Sequence, residues 1–336
     1  MSAPTRRLAV LALLAALAGC AAAHAPPGPG PTPPALDAAE FVTADGTRLA
    51  LRSWLPAGAP KAVIVALHGF NDYSRAFDTA PDAPGTGPFL AARGIAVYAY
   101  DQRGFGRSSY AGVWAGHDKL IGDLRTFVDV VRLRHAGVPV YALGESMGGA
   151  VVMTAMAGAN PPRVDGVILV APAVWARSTM PWFYRTALWL GVGIAPSMKP
   201  SGRGLGRQAS DNIEMLRQNA RDPLFIKSTR IDAIAGLTDL MDDALASPHR
   251  LAVPVLYLYG AKDQIIPKPP SLNAMRALPS GARTAYYPTA WHMMLRDKSG
   301  QVPLADIAAF VIDPAGPLPS GADVDALQRL GAGIGK

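Results

Sequence analysis

Short apolar runs, separated by turn residues and amphipathic stretches, are the dominant pattern along this chain. Five runs of five to seven residues are apolar at nearly every position, which is typical of parallel strands buried on both faces. They are Ala62–Leu67, Ile95–Tyr100, 138–143, 167–171 and 253–259, with a shorter sixth candidate at 284–287. Residues 41–55 carry Asp45-Gly46 between two strand-like segments and predict a hairpin.

Helical periodicity fills the gaps between most of these predicted strands. Apolar residues recur at intervals of three and four over 118–135, while 147–159 is small and apolar, as a buried helix is. Residues 302–311 predict a final helix, with Pro303 near its start. Strands that alternate with helices indicate βαβ units, so we predict an α/β fold with a mostly parallel sheet.

The alternation is interrupted once. Residues 175–248 contain helical stretches and no good strand, which predicts a helical cap inserted into a core of residues 40–174 and 249–313. The tail, residues 314–336, is rich in Gly, Pro and Ala, and its sequence indicates no function.

The N-terminal region has the features of a targeting segment. Residues 1–19 begin with a basic stretch and continue with eleven apolar residues at 8–18. A membrane-spanning helix needs about 20 apolar residues, so this stretch predicts a secretory signal peptide. Residues 20–39 are dense in Pro and Gly, which favours an extended, unpacked chain and predicts a tether.

Composition excludes several classes of protein. Half of the 336 residues are apolar and 17% are charged, which excludes a disordered chain. The single cysteine, Cys20, excludes a disulfide framework and a multi-cysteine zinc site. The net charge of +7 falls to +5 without the two arginines of segment 1–19, and the basic residues are scattered, so we expect no nucleic-acid partner.

One motif carries most of the predicted chemistry. Gly144-x-Ser146-x-Gly148 lies directly after an apolar strand and directly before a helix-compatible run. This context is that of a nucleophile elbow, in which a sharp turn lifts a serine hydroxyl above the sheet and the glycines avoid clashes. We therefore predict that Ser146 is a nucleophile.

A serine hydroxyl is a weak nucleophile at neutral pH, so Ser146 requires a base and the base an orienting acid. The chain order expected for this elbow is Ser, acid, His. Among six histidines, His292 follows the last candidate strand and precedes the final helix, and we predict it as the base. Asp263 follows the 253–259 strand and is the predicted acid. Asp239, Asp242 and Asp243 are weaker candidates because they lie in the predicted cap.

Backbone amides are expected to form the oxyanion hole. The Met147 N–H and an N–H of the loop after strand Ala62–Leu67 have the required positions, and in that loop we predict Phe70. His68 is interpreted as a structural residue that holds this loop. Loop 101–108 lacks the Gly-Lys-Ser/Thr ending of a P-loop, so we interpret it as a structural turn held by Asp101–Arg103 contacts.

Three tryptophans at the start of the predicted cap are the candidate residues of a substrate pocket: Trp175, Trp182 and Trp189. Trp182 and Trp189 are seven residues apart and share one helix face. Two interpretations stay open. The face packs on the core, or it serves the substrate, as an acyl-tunnel wall or as a surface that dips into a membrane interface.

These motifs together resemble a known family. Residues 41–313 resemble an α/β-hydrolase of the monoacylglycerol lipase and lysophospholipase group, which is similar to the S33 serine aminopeptidases. The matching segments are His68-Gly69-Phe70, the loop 101–108, Gly144–Gly149, Ala171-Pro172-Ala173, Asp222-Pro223-Leu224, Gly260-x-x-Asp263 and His292. The chain departs from the pattern at Glu145, where some members carry His, and we interpret Glu145 as one partner of a buried pair with an arginine.

A second resemblance concerns the export signal. Leu17-Ala18-Gly19-Cys20 resembles a bacterial lipobox, which implies cleavage before Cys20 and lipidation of its thiol. An ordinary signal peptide is the alternative. Ala21 differs from the aspartate that in some bacteria retains lipoproteins in the inner membrane. The resemblance therefore implies a lipid-anchored protein of the cell envelope, with the outer membrane favoured.

The leading hypothesis is a serine hydrolase that cleaves esters of single-chain lipids, such as monoacylglycerol or lysophospholipid. It would meet the membrane through lipidated Cys20 and through the cap. Neither a metal nor an organic cofactor is implied, because Ser146, Asp263 and His292 supply the chemistry themselves. The alternatives are an acyltransferase or a proline-aminopeptidase-like peptidase with the same three residues, and a non-catalytic binding protein. The sequence does not set the oligomeric state.

Overall fold

The computed structural model describes residues 22–23, 25–200 and 206–332. A nine-stranded sheet runs through this part of the chain, in the order β1-β2-β3-β5-β4-β6-β7-β8-β9. Neighbouring strands from β5 through β9 are parallel, whereas β1, β2 and β3 pair antiparallel. The strands are β1 (Ala35–Leu36), β2 (Glu40–Val42), β3 (Arg48–Trp54), β4 (Ala62–Leu67), β5 (Ile95–Tyr100), β6 (Val140–Glu145), β7 (Gly166–Val170), β8 (Val255–Gly260) and β9 (Arg283–Tyr287). The predicted α/β-hydrolase fold class is confirmed.

Helices cover both faces of the sheet. They are α1 (Thr86–Ala91), α2 (His117–Arg134), α3 (Met147–Met156), α4 (Trp182–Ile194), α5 (Ile213–Arg221), α6 (Ile231–Leu245), α7 (Lys268–Arg276), α8 (Gln301–Ile312) and α9 (Ala326–Ala332), with 3₁₀ turns at Ser74–Phe77 and Pro248–Arg250. In the part of the chain that the structure describes, no helix is long and apolar enough to cross a membrane.

The alternation of side chains along each strand divides the core into two layers. Val63 and Val65 of β4 face the layer that is formed by α2, through Phe127, and by α3 and α6. Ile64 of the same strand faces the other layer, which α8 covers with Phe310. Every residue of β4, β5, β6, β7 and β8 is buried, because helices lie on both faces of these strands.

The cap is smaller than the sequence suggested. Helix α6 lies within the predicted cap of 175–248, yet it packs on α3 and connects β7 to β8. Its Leu240 is fully buried in the same layer as α3. The helix is therefore the crossover of a βαβ unit, and we use "cap" below for residues 175–230. Periodicity could not separate these helices, because a cap helix and a crossover helix share the same pattern.

The predicted tether, 20–39, is in contact with the core in its described part. β1 pairs with β2, the Gly30 N–H donates to the Asp45 carbonyl at 3.0 Å, and the Ala23 N–H donates to Asp232 Oδ2 at 3.0 Å. The expectation of an unpacked chain is therefore wrong for these residues. Proline limits backbone donors but leaves carbonyls and non-proline amides free to bond. The predicted signal peptide, 1–19, and Cys20 lie outside the described residues.

The tail completes the core. Leu318 and Ala322 are buried in one layer, and Ala326 and Leu330 of α9 are buried in the other. Arg283 of β9 also pairs with Asp323 of the tail at 3.2 Å. The tail, although rich in Gly, Pro and Ala, therefore packs on the edge of the sheet beside β9.

Candidate active site

Ser146 occupies a strained turn between β6 and α3. Its backbone has φ 54° and ψ −115°, a left-handed conformation that L-residues rarely adopt. The flanking glycines explain how the turn is possible: a Cβ on Gly144 would lie 2.4 Å from the Gly148 carbonyl carbon, and one on Gly148 would lie 2.2 Å from the Leu67 oxygen. The strand, turn and helix that the motif predicted are all present.

His292 and Asp263 are in direct contact. His292 Nδ1 lies 2.8 Å from Asp263 Oδ2, and both side chains are buried. Asp263 Oδ1 accepts hydrogen bonds from the backbone N–H groups of Ile265 and Ile266, which orients the carboxylate. Burial lowers the pKa of His292, but the charge and hydrogen bond of Asp263, together with the charge of Glu145, outweigh this effect and hold the pKa above the usual histidine value.

Parallel strands bring these residues to one edge of the sheet. Ser146 follows β6, Asp263 follows β8 and His292 follows β9, and the carboxyl ends of parallel strands lie at the same edge. The loop that carries His292 crosses close to the end of β8, where a Cβ on Gly260 would lie 2.4 Å from the Ala290 oxygen. The fold thus brings the candidate nucleophile, the candidate base and the candidate acid from distant parts of the chain to one edge of the sheet.

The loop after β4 lies against Ser146. A Cβ on Gly69 would be 3.3 Å from Ser146 Cβ, so the chain passes this side chain closely at Gly69-Phe70. Among the hydrogen bonds of the described residues, none uses the N–H of Phe70 or of Met147. Met147 is also the first residue of α3, whose N-terminus carries partial positive charge. These two amides are free to receive negative charge that develops beside Ser146.

His68 holds this loop in place. Its Nε2 accepts a hydrogen bond from the Gln102 N–H at 2.9 Å, and its Nδ1 lies 2.8 Å from the Gly69 carbonyl. The ring is fully buried, and burial lowers the pKa of His68, which keeps it neutral. The predicted structural role is confirmed.

Loop 101–108 is structural, but its contacts differ from the prediction. Asp101 accepts from the Ser74 and Arg107 backbone N–H groups, at 2.9 and 2.8 Å. Arg103 instead forms a buried ion pair with Asp123 at 2.6 Å and a partly exposed one with Asp45 at 2.8 Å. The expected Asp101–Arg103 contact was wrong, because an arginine side chain reaches partners on α2 and in the β2–β3 turn that no local pattern reveals.

Arg296 links two loops and the end of strand β6 around the site. Its Nη2 lies 2.8 Å from Asp72 Oδ2, in the loop after β4, and 3.5 Å from Glu145 Oε2, at the end of β6. All three side chains are at most 5% exposed. The two carboxylates hold the pKa of Arg296 above its usual value against the effect of burial, whereas burial raises the pKa of Glu145. The predicted pairing of Glu145 with an arginine is confirmed, and the sequence did not reveal which arginine.

Asp297 fixes the loop that carries His292. It accepts from the Trp291 N–H at 2.7 Å and from Ser210 Oγ of the cap at 2.6 Å. The Met293 N–H also donates to the Ala209 carbonyl at 2.9 Å. Burial raises the pKa of Asp297 to about 6. The sequence analysis missed this residue, although an acid five positions after the candidate base was a signal.

The three tryptophans of the predicted substrate pocket are placed differently from one another. Trp182 and Trp189 of α4 are each 74% exposed, so neither packs on the core nor lines an enclosed tunnel. Trp189 borders an open cavity of about 540 Å³ between α4 and α6. Trp175 is half-buried, with its ring 5.5 Å from that of Tyr184. An exposed aromatic face on a short helix could not be separated from a packed one by spacing alone.

Metal-binding geometry is absent from the described residues: no three His, Cys, Asp or Glu side chains there are placed to hold a metal ion.

Comparisons with known proteins identify the family and support the fold. The chain is 26% identical over 291 residues to a monoacylglycerol lipase of Mycolicibacterium smegmatis. The matched region covers 81% of this chain and 95% of the relative. It is 28% identical over 271 residues to a monoglyceride lipase of Rattus norvegicus, over 79% and 86% of the two chains. A soluble variant of the Saccharomyces cerevisiae monoglyceride lipase, solved in complex with a substrate analogue, shares the fold, with a TM-score of 0.67, 21% identity and coverage of 86% and 99%. Residues 58–299 match the family described as serine aminopeptidase, S33. The chain therefore belongs to the serine aminopeptidase S33 family and has the α/β-hydrolase fold.

Proposed function

We propose that this protein is a serine hydrolase that cleaves carboxylic esters of single-chain lipids, of the monoacylglycerol lipase or lysophospholipase type. The observation that carries the proposal is the juxtaposition of strained Ser146 with the buried His292–Asp263 pair at one sheet edge. Its similarity to monoacylglycerol and monoglyceride lipases supports an ester of a monoacyl lipid as the substrate class.

In this mechanism Ser146 Oγ attacks the ester carbonyl, and its proton passes to His292 Nε2. Asp263 orients the imidazole and stabilises its cation. The Phe70 and Met147 amides hold the oxyanion of the tetrahedral intermediate. His292 then protonates the leaving alcohol. Water, activated by His292, releases the fatty acid from the acyl-enzyme.

The surface of the cap supports a substrate drawn from a membrane. In the described part of the cap, residues 181–199 carry two charges, Arg185 and Lys199, both basic. Trp182, Trp189 and Ile194 are each more than 60% exposed within this stretch. Exposed aromatics beside basic groups suit the interface of an anionic membrane. In our proposal this surface meets the bilayer.

The N-terminus supplies a second membrane contact in this proposal. Cleavage before Cys20 and lipidation of its thiol would anchor the enzyme in the bacterial cell envelope. Ala21 in place of aspartate favours the outer membrane over the inner one. Mass spectrometry of the membrane fraction tests this part: an acylated N-terminal Cys20 peptide is the expected result, and an unmodified one contradicts it.

Fatty-acid release tests the reaction. Protein without residues 1–20 is assayed on monoacylglycerols, lysophospholipids, diacylglycerols and short-chain esters, with Ser146→Ala as the control. Turnover that depends on Ser146 and peaks on long monoacyl substrates is expected. Turnover of short esters alone would indicate a general esterase. No turnover of any ester, in protein that still reacts with a fluorophosphonate at Ser146, would exclude the lipase function.

The family's name makes a peptidase the second candidate. A proline-aminopeptidase-like enzyme needs acids that bind a free amine near the nucleophile. The start of the cap is instead apolar and basic, which ranks this candidate lower. Aminoacyl-naphthylamides test it directly, and added glycerol or a second lipid as acceptor tests acyl transfer, the remaining alternative.

A further inference from the structure

The Asp222-Pro223-Leu224 motif of the cap contacts the loop that carries the candidate oxyanion donor. Asp222 Oδ2 accepts hydrogen bonds from Tyr73 Oη at 2.6 Å and from Arg75 Nη1 at 2.7 Å. Its other oxygen, Oδ1, accepts from the Leu224 N–H at 2.9 Å, so the carboxylate is oriented by its own turn. The Asp222 side chain is 8% exposed. Both oxygens of this carboxylate are therefore used.

A second set of contacts lies closer to the site. The Ile226 N–H donates to the Asn71 carbonyl at 2.9 Å, and Asn71 Nδ2 donates to Thr229 Oγ1 at 2.8 Å. Asn71 has φ 67°, a left-handed conformation that asparagine tolerates better than most residues. Cap hydrogen bonds therefore hold both the backbone and the side chain of Asn71, which helps to keep this conformation.

Asn71 directly follows Phe70, so only the φ and ψ angles of Phe70 separate its N–H from the rigid peptide group that it shares with Asn71. We propose that cap residues 222–229, here called the cap brace, position the Phe70 N–H in the oxyanion hole by holding Asn71 and Tyr73. This inference rests on the proposed serine-hydrolase function. It assigns the Asp-Pro-Leu motif a positioning role, in which Asp222 and Thr229 act through the loop after β4 rather than on the substrate.

The orientation of Asp222 is consistent with this role. Burial acts to raise the pKa of Asp222, but hydrogen bonds from Tyr73, Leu224 and Arg75 together lower it, so the group is an anion at neutral pH. A buried anion with three fixed donors has one preferred position. On the other side of the same loop, Arg296 holds Asp72. The loop is thus held between the cap and the interior.

Loss of the cap brace should affect the chemical step more than substrate binding. An oxyanion donor acts mainly in the transition state, and deleting one lowers kcat by about 10²–10³-fold. A displaced donor should have a smaller effect. We expect a fall in kcat of about 10–50-fold, with KM within about twofold of wild type.

The test compares variants that differ by one polar group. Thr229→Val removes the acceptor of Asn71 at nearly constant volume, whereas Thr229→Ser retains a hydroxyl. Asp222→Asn removes the charge, and Glu214→Gln, an exposed acid on α5 of the same cap, is the matched control. Steady-state kinetics use a soluble p-nitrophenyl butyrate, the rate of fluorophosphonate labelling at Ser146 is measured in parallel, and thermal unfolding reports stability.

The expected result is a lower kcat and slower labelling in Thr229→Val and Asp222→Asn, recovery in Thr229→Ser, and no change in Glu214→Gln. Lower stability with unchanged kcat and labelling rate would overturn the proposal, because the brace would then be merely structural. A rise in KM alone would overturn it too, because the cap would then bind substrate. Labelling needs no ester turnover: if wild type labels but cleaves no ester, the proposed function fails while the labelling rates still test the brace.

Discussion

Arg296 Nη2 lies 3.5 Å from Glu145 Oε2 in the interior of the protein, with the two side chains 5% and 2% exposed. Glu145 directly precedes the candidate nucleophile, and Arg296 lies four residues after the candidate base. The same guanidinium binds Asp72 at 2.8 Å. One buried cation therefore joins the end of β6 beside Ser146, the loop that carries His292 and the loop after β4.

Removing this cation should strongly destabilise the protein. Arg296→Met leaves two buried carboxylates without a counter-charge, and breaking a buried ion pair typically costs about 3–5 kcal/mol. Urea-induced unfolding measures the loss. Glu145→Gln in the same chain should recover part of it, because one uncompensated charge is removed. Arg217→Met, at an exposed pair with Glu214, is the control and should change stability by less than about 0.5 kcal/mol. Equal stability of Arg296→Met and wild type would contradict the argument.

The pH dependence of activity should report on His292. The base must be neutral, and Asp263 raises the pKa of His292 above its usual value, so activity should rise with pH through a midpoint above about 6.5. Asp263→Asn removes the charge that raises this pKa, so the midpoint should move to lower pH. Its kcat should fall by roughly 10⁴-fold, as the acid of such a triad typically requires.

The measurement for this prediction is kcat/KM on a soluble ester between pH 5 and 9. Asp243→Asn is the control, because this exposed acid was an alternative candidate in the sequence and lies on α6. It should leave both the midpoint and the rate unchanged. A profile of Asp263→Asn with the wild-type midpoint would show that Asp263 does not set the pKa of His292.

Two glycines should respond in opposite ways to the same substitution. Gly144→Ala places a Cβ 2.4 Å from the backbone of Gly148, so the elbow must deform, and we expect a loss of about 3 kcal/mol or more together with most of the activity. Gly122 lies inside α2 with nothing within 4 Å of the added Cβ. Gly122→Ala should stabilise by about 0.5–1 kcal/mol, because alanine favours a helix. Thermal unfolding compares the two; a tolerated Gly144→Ala would argue against a tight elbow.

The exposed tryptophans should matter only when the substrate is in a membrane. Trp182→Ala with Trp189→Ala removes two side chains that are 74% exposed, so stability and turnover of a soluble short ester should stay near wild type. Hydrolysis of monoacylglycerol in anionic vesicles should fall by at least about tenfold, since apolar burial in the interface is lost. Leu133→Ala, on α2 and 81% exposed, is the control. Equal losses on both substrates would instead indicate a role in the acyl pocket.

Local patterns predicted much of this molecule. The buried strands, the elbow at Ser146 and the candidate partners Asp263 and His292 were all visible in the sequence. Period-two and period-3.6 patterns arise from burial on one element, and the elbow needs glycine at fixed short spacings. The order Ser146, Asp263, His292 along the chain is the one expected for an α/β-hydrolase. Each of these signals is either a local sequence pattern or the order of three residues along the chain.

Other features depended on contacts between distant residues. Glu145 and Arg296 are 151 positions apart, and Tyr73 and Asp222 are 149 positions apart. No periodicity selects one arginine or one aspartate among many, so these partners could not be assigned from the sequence. The boundary between the cap and the crossover helix could not be predicted for the same reason. The helical periodicity of α4 and α6 does not show which elements each helix packs against.

By itself, therefore, the sequence determined the fold class, the strained serine turn and the residue types available for acid–base chemistry, since these depend on local backbone and burial preferences. Only the tertiary structure decided which charges are buried together at Arg296, how the cap holds Asn71, and that Trp182 and Trp189 face outward. Pairing and exposure are properties of how elements pack against one another, and a linear pattern does not contain them.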